Sequence, residues 1–217
     1  MIFYNNIKYR ALIILICRKV LKDFHFSLNL GLIGSDDSRI DIILDYLKEK
    51  TKLTSSNHSI SEFQFIYENV PLKMKIHQFK YLADITDDVK HLKKIDAIIV
   101  VVNLYNDQAI SNLTLNNYKK FCENSMFNGI AALVGIDPYL IEQKIPPASR
   151  NINEFVLIQK TKELKFHYCF KIQNSQKDIA EIFKKVLNYV KLKLEFINPE
   201  MFERVKTSGK DFVGKYL

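Results

Sequence analysis

The sequence predicts an α/β protein: a mostly parallel sheet with one antiparallel edge hairpin, covered by helices on both faces. Three stretches carry that prediction. Ile95 to Val102 (IDAIIVVV) is a near-continuous β-branched run, as suits an inner parallel strand covered on both sides. Phe26, Leu28, Leu30 and Leu32 alternate with Ser27, Asn29 and Gly31 before Gly34, which reads as a half-buried strand running into a turn. Ile179, Ile182, Phe183, Val186, Leu187 and Val190 recur at helical spacing and form the clearest amphipathic helix of the chain.

The remaining elements follow in order. After Gly34, the residues Ile40, Ile43, Leu44 and Leu47 predict a helix, with Asp36, Asp37 or Ser38 as its cap and Lys48, Glu49 and Lys50 at its end. Phe63, Phe65 and Tyr67 alternate, Asn69-Val70-Pro71 breaks the run, and Leu72, Met74 and Ile76 alternate again, which reads as a hairpin. A helix is expected over roughly Gln108 to Cys122, then a short strand from Ile130 to Val134 ended by Gly135 and Asp137-Pro138. Pro146-Pro147 breaks the chain again, helix resumes from Asn153, and a strand from Phe166 to Ile172 precedes the last long helix. The order is β-α-β-β-β-α-β-α-β-α.

With 217 residues, of which 47% are hydrophobic and 26% charged, the chain has material for one packed core, placed at residues 26–195. Residues 1–25 read as an N-terminal extension and 196–217 as a basic C-terminal segment. Cys17, Cys122 and Cys169 are odd in number, far apart and without a C-x-x-C, which argues against a disulfide framework or a zinc module. Ala11 to Cys17 is far short of the roughly 20 apolar residues of a membrane span, so no membrane anchor is expected.

The strand and helix order is the one that Ras-like small GTPases use, and the chemistry of that fold can be tested loop by loop. A phosphate loop needs G-x-x-x-x-G-K-[ST], whose amides cradle phosphate while Lys neutralises it and a hydroxyl holds magnesium. Here the turn is Gly34-Ser35-Asp36-Asp37-Ser38-Arg39-Ile40-Asp41. Arg39 takes the second Gly place, Ile40 the Lys place and Asp41 the hydroxyl place, and two carboxylates would face the phosphates. The D-x-x-G loop after the third strand of that fold has no counterpart, because no glycine lies between Gly34 and Gly129. The guanine-reading N-K-x-D is reduced to Gly135-Ile136-Asp137. Neither nucleotide, nor a cofactor, nor catalysis is expected.

Other chemistry is weaker. The five histidines (His25, His58, His77, His91, His167) lack metal-ligand spacing. His167 and Cys169 share a face of one strand and read as a structural pair; Asp84, Asp87, Asp88 and His91 read as a solvated helix start sooner than as a magnesium patch. The formal charge is +8, and Lys191, Lys193, Arg204, Lys206 and Lys210 concentrate it near the end. Such a patch suits DNA or an acidic partner, or is simply a solvated basic face.

Ile95-Asp96-Ala97-Ile98-Ile99-Val100-Val101-Val102-Asn103-Leu104, with its Ile-Asp start and Val-Asn-Leu end, resembles the corresponding strand of the centromere protein M family. Leu32-Ile33-Gly34-Ser35-Asp36-Asp37 resembles that family's degenerate phosphate loop, and Tyr168-Cys169 also has a counterpart. The resemblance covers roughly residues 26 to 205. It implies a pseudo-GTPase that binds no nucleotide and serves as a structural subunit of the inner kinetochore in the nucleus. Its implied partner is the helical-repeat centromere protein I, in an assembly with centromere proteins H and K and near DNA. It also implies docking through Met126 and Phe127 and through Met201, Phe202 and Val205. Pro199 followed by Met-Phe and Val at i, i+3 or i+4 spacing points the same way, the alternative being a short helix folded back on its own core. The other functional reading is a divergent GTPase-like adaptor in membrane trafficking or signalling.

Overall fold

The computed structural model describes residues 26–57, 59–82, 84, 95–125, 127–146, 151–173, 175–209 and 217. The expectations for residues 1–25, Cys17, His58, Asp87, Asp88, His91, Met126, Pro147 and Lys210 lie outside these described residues.

Seven strands form one sheet in the order β2-β3-β4-β1-β5-β6-β7. They are β1 (Phe26–Ile33), β2 (Lys52–Ser56), β3 (Ile60–Tyr67), β4 (Val70–Phe79), β5 (Ala97–Asn103), β6 (Ile130–Ile136) and β7 (Tyr168–Ile172). β4, β1, β5, β6 and β7 are parallel, while β2 and β3 run antiparallel at one edge. The helices are α1 (Ile40–Lys50), α2 (Asp107–Ser111), α3 (Leu115–Ser125), α4 (Pro138–Ile141), α5 (Glu154–Leu164), α6 (Ser175–Ile197) and α7 (Pro199–Gly209).

Alternation within the strands sorts the core onto the two faces of the sheet. Leu28, Leu30, Leu32, Ala97, Ile99 and Val101 face α1 and α6, where Ile43, Leu47, Phe183 and Leu187 meet them. Ile98, Val100, Val102 and Leu133 face the other way, onto Leu113, Phe121, Leu157 and Leu164 of the α2, α3 and α5 layer. β5 is buried on both sides, as its β-branched run requires. Asp96 fastens its start: the Asn29 amide donates to Oδ2 at 3.1 Å and the Asp96 amide to the Asn29 carbonyl at 2.9 Å.

Several boundaries differ from the sequence reading. The hairpin is longer than expected, because Glu68 and Asn69 both take positive φ (46° and 66°). That two-residue turn directly joins Tyr67 to Val70 and leaves Pro71 inside β4. The helix expected over Gln108 to Cys122 divides into α2 and α3 at Asn112-Thr114. Neither Asp36, Asp37 nor Ser38 caps α1: they form a 3-10 turn, and Arg39, at φ 57°, stands at the cap position and makes no side-chain capping bond.

The largest correction concerns the C-terminal segment. α7 folds back against β4 and α6. Its Phe202 is fully buried, stacked on Phe26 with ring centroids 6.4 Å apart, and Val205 is buried beside it. Residues 199–209 are therefore packed into the same unit as 26–195.

Candidate functional site

In an open α/β sheet the ligand position lies beyond the carboxyl ends of the strands, where the strand order reverses. β1 lies between β4 and β5 at that reversal, so Gly34 to Asp41 occupies the position where such folds hold phosphate. In this chain the loop is closed on itself. The Gly34 amide donates to the Phe79 carbonyl and the Ser38 amide to the Ser35 carbonyl, both at 2.9 Å. The Ser38 hydroxyl is fully buried and donates to the same Ser35 carbonyl at 2.6 Å. A Cβ on Gly34 would collide with that hydroxyl, so the tight turn demands glycine here.

Asp37 takes up the remaining donors. Ser35 Oγ donates to its Oδ1 at 2.5 Å and Asn106 Nδ2 to its Oδ2 at 2.6 Å, while Asn103 Nδ2 donates to its backbone carbonyl at 3.0 Å. Partial burial raises the Asp37 carboxyl, but the hydrogen bonds from Ser35 and Asn106 outweigh it and the net shift is downward. A fixed anion thus stands in the loop. Asp36 pairs with Lys80 at 2.8 Å, and Arg39 is held by Asp41 and Glu142. Arg39, the residue nearest in character to the missing lysine, is thereby committed to carboxylates. A cavity of about 310 Å³ opens beside the loop, lined in part by Gly34, Ser35, Lys80 and Asn112. Among the described residues that line it Lys80 is the one basic side chain, and that charge is already countered by Asp36.

Asn103 and Asn106, which sequence reasoning did not connect to the loop, are the residues that hold it. Asn103 ends β5 and also accepts from the Tyr105 amide at 3.0 Å; Asn106 caps α2 by accepting from Gln108 and Ala109. The acidic loop and the Val-Asn-Leu strand end are therefore one hydrogen-bonded unit. The third degenerate position is likewise structural: Asp137 is buried and caps α4, accepting from the Leu140 amide at 3.0 Å ahead of Pro138.

The remaining candidate side chains hold local structure. His167 Nδ1 accepts from the Ala131 amide at 3.1 Å, a strand-to-strand tie between the start of β6 and the loop before β7. Asp84 accepts from the Tyr81 amide at 2.9 Å. No group of three His, Cys, Asp or Glu side chains is placed to hold a metal among the described residues, and no described helix is long and apolar enough to cross a membrane.

The expected docking residues are redistributed. Phe127, Phe202 and Val205 are buried in the chain's own core, and Met201 is half-buried, so the first three cannot present their side chains to a partner in this conformation. Of the two readings the apolar spacing left open, a partner or the chain's own core, the second holds for these residues. Of the basic residues, Lys191 pairs with Glu68, and Lys206 pairs with Glu203 at 3.2 Å while lying over the Phe202 ring. Lys193 differs: its Nζ is withdrawn from water and has no hydrogen-bond partner. Exposed large apolar side chains lie at several places, among them Ile145 (92% exposed), Phe155 (73%) on α5, and Leu192 (64%), Phe196 (89%) and Ile197 (68%) at the end of α6.

No family model matches the chain, and no curated protein matches it.

Proposed function

We propose that this chain is a pseudo-GTPase scaffold: a Ras-like small-GTPase architecture whose nucleotide position has been turned into structure and whose function is protein docking. The observation that carries the reading is Asp37. A carboxylate held by Ser35 and Asn106 stands where the fold would otherwise receive an anionic phosphate, and like charges in so small a space repel. The loop amides of Gly34 and Ser38, the Asp137 carboxylate and the Arg39 guanidinium are all engaged within the chain. The strand-helix order and the place of the loop at the strand-order reversal support the architecture.

The kinetochore assignment rests on the resemblance to centromere protein M. Two of the motifs that carry it, the acidic loop and the Val-Asn-Leu strand end, meet through Asn103, so a shared physical cause ties them together. On this reading the chain is a nuclear, centromere-bound subunit that docks on a centromere protein I-like helical-repeat protein with centromere proteins H and K. Co-expression with that partner should give a complex that co-elutes in gel filtration, and a fluorescent fusion should mark centromeres. Co-purification with membranes in place of chromatin would assign the chain to trafficking or signalling and reject the kinetochore reading.

A further inference from the structure

Asn128-Gly129 is the chain's one Asn-Gly pair, and it stands where the chain passes from α3 into β6, a strand in the interior of the sheet. The residues on either side are fixed. Phe127 is buried, its ring packed on Phe121 with centroids 5.1 Å apart, and the Ile130 amide donates to the Asp96 carbonyl at 3.3 Å. Gly129 is buried against that same carbonyl, so closely that a Cβ would collide with it. Between these fixed points Asn128 is exposed. Its backbone carbonyl accepts from the Tyr189 hydroxyl at 3.5 Å, while its side-chain amide and the Gly129 amide nitrogen have no hydrogen-bond partner among the described residues. A backbone amide without an acceptor is rare in a folded chain. Here it lies next to an unrestrained carboxamide, with no side chain of its own to shield the nitrogen.

We propose that Asn128 is a self-modification site, at which the Gly129 nitrogen closes on the Asn128 side chain and converts it to aspartate and isoaspartate. Hydroxide removes the Gly129 amide proton, the nitrogen bonds to Asn128 Cγ, and the Cγ–Nδ2 bond breaks, with ammonia leaving after it takes a proton from water. The product is a five-membered cyclic imide. Water then opens the ring. Addition at Cγ gives aspartate with the main chain as before; addition at the backbone carbonyl carbon gives isoaspartate, whose main chain runs through Cβ and Cγ. The fold absorbs these two products differently. Aspartate adds a charge at an exposed position and leaves the path of the chain unchanged. Isoaspartate adds one carbon, about 1.5 Å of main chain, between a phenylalanine held in the core and a glycine with no room to move on Asp96. Asp96 also fastens β5 to β1 through Asn29, so the strain falls where three strands begin. Modification thus loosens the entry to β6. The inference does not depend on the pseudo-GTPase or the kinetochore reading.

The test is to incubate the full chain at physiological temperature and mildly alkaline pH, then digest it and map it by mass spectrometry with electron-transfer fragmentation, which separates aspartate from isoaspartate. Asparagine at position 128 should be lost ahead of every other asparagine, with both products formed, and faster as pH rises, because the attacking amide must be deprotonated. The incubated protein should melt several degrees lower than the fresh protein. Freshly made Asn128→Asp should melt like wild type, and Asn128→Gln should keep its melting temperature through the incubation. Asparagine retained at 128 in the folded chain, with conversion only in urea, would overturn the proposal, since the fold would then protect the site. Isoaspartate at 128 with an unchanged melting temperature would overturn the link to β6.

Discussion

At Asp37 a single carboxylate gathers the hydrogen bonds that a phosphate-binding loop keeps for its ligand. Its partners Asn103 and Asn106 lie 66 and 69 residues further along the chain. Sequence therefore revealed the loss of the phosphate motif and could not reveal what replaced it: spacing along a chain says nothing about a bond closed by tertiary folding. Asp37→Ala should cost about 1 kcal/mol in urea titration, since charge-assisted bonds at a largely exposed group are screened. The lowered Asp37 carboxyl stabilises the fold above its unfolded value, near pH 4, and that contribution is lost as pH falls through the folded value. His77 gives a second pH dependence of similar sign. Burial holds its imidazole below the ordinary value, Lys75 adds to the shift and Glu62 opposes it. The neutral ring is therefore favoured in the folded state. Its contribution is complete above about pH 6.5 and declines as pH falls from there through the lower folded value. His77→Phe, which keeps an aromatic ring beside Phe79, should flatten the stability profile between about pH 7 and pH 5; an unchanged slope would assign that pH dependence to other groups.

Among the elements, those with strong apolar patterning were legible and those made by partnership were not. β5, β6 and α6 follow from their apolar runs and stripe, because burial itself selects those residues. β2 (Lys52–Ser56) is exposed at every position and exists by pairing with β3, so no hydrophobic period announces it. α7 was legible as an amphipathic segment, but whether its apolar side met a partner or its own sheet was not, since both put the same residues at the same spacing. The structure assigns Phe202 and Val205 to the core. Phe202→Ala should cost about 3–5 kcal/mol, a large share of a typical domain's stability of about 5–15 kcal/mol, and Phe202→Glu should prevent folding. Met201→Glu, one residue away and half-buried, should be much milder. Gly209 sets where α7 ends: a Cβ there would collide with the Asn69 carbonyl of the hairpin turn, so Gly209→Ala should push the helix end off β4 and lower the melting temperature. Equal melting temperatures for Phe202→Ala and wild type would contradict the placement of α7.

For the whole molecule, the sheet divides the core into two apolar layers and leaves the carboxyl ends of β1, β5 and β6 as the place where a GTPase would work. Here all three ends are occupied by the chain itself, through Asp37, Asn103 and Asp137. The scaffold reading therefore predicts indifference to nucleotide. A ligand at 100 times its dissociation constant stabilises a protein by about 2.7 kcal/mol, which moves the melting temperature of a chain of this size by about 5–11 °C. Ile40→Lys should not restore binding, because the Asp37 anion and the other missing loops remain. The most direct measurement is the melting temperature of the full chain with and without millimolar magnesium-GTP and magnesium-GDP. The scaffold account predicts superimposable curves; a saturable upward shift of several degrees with either nucleotide would contradict it.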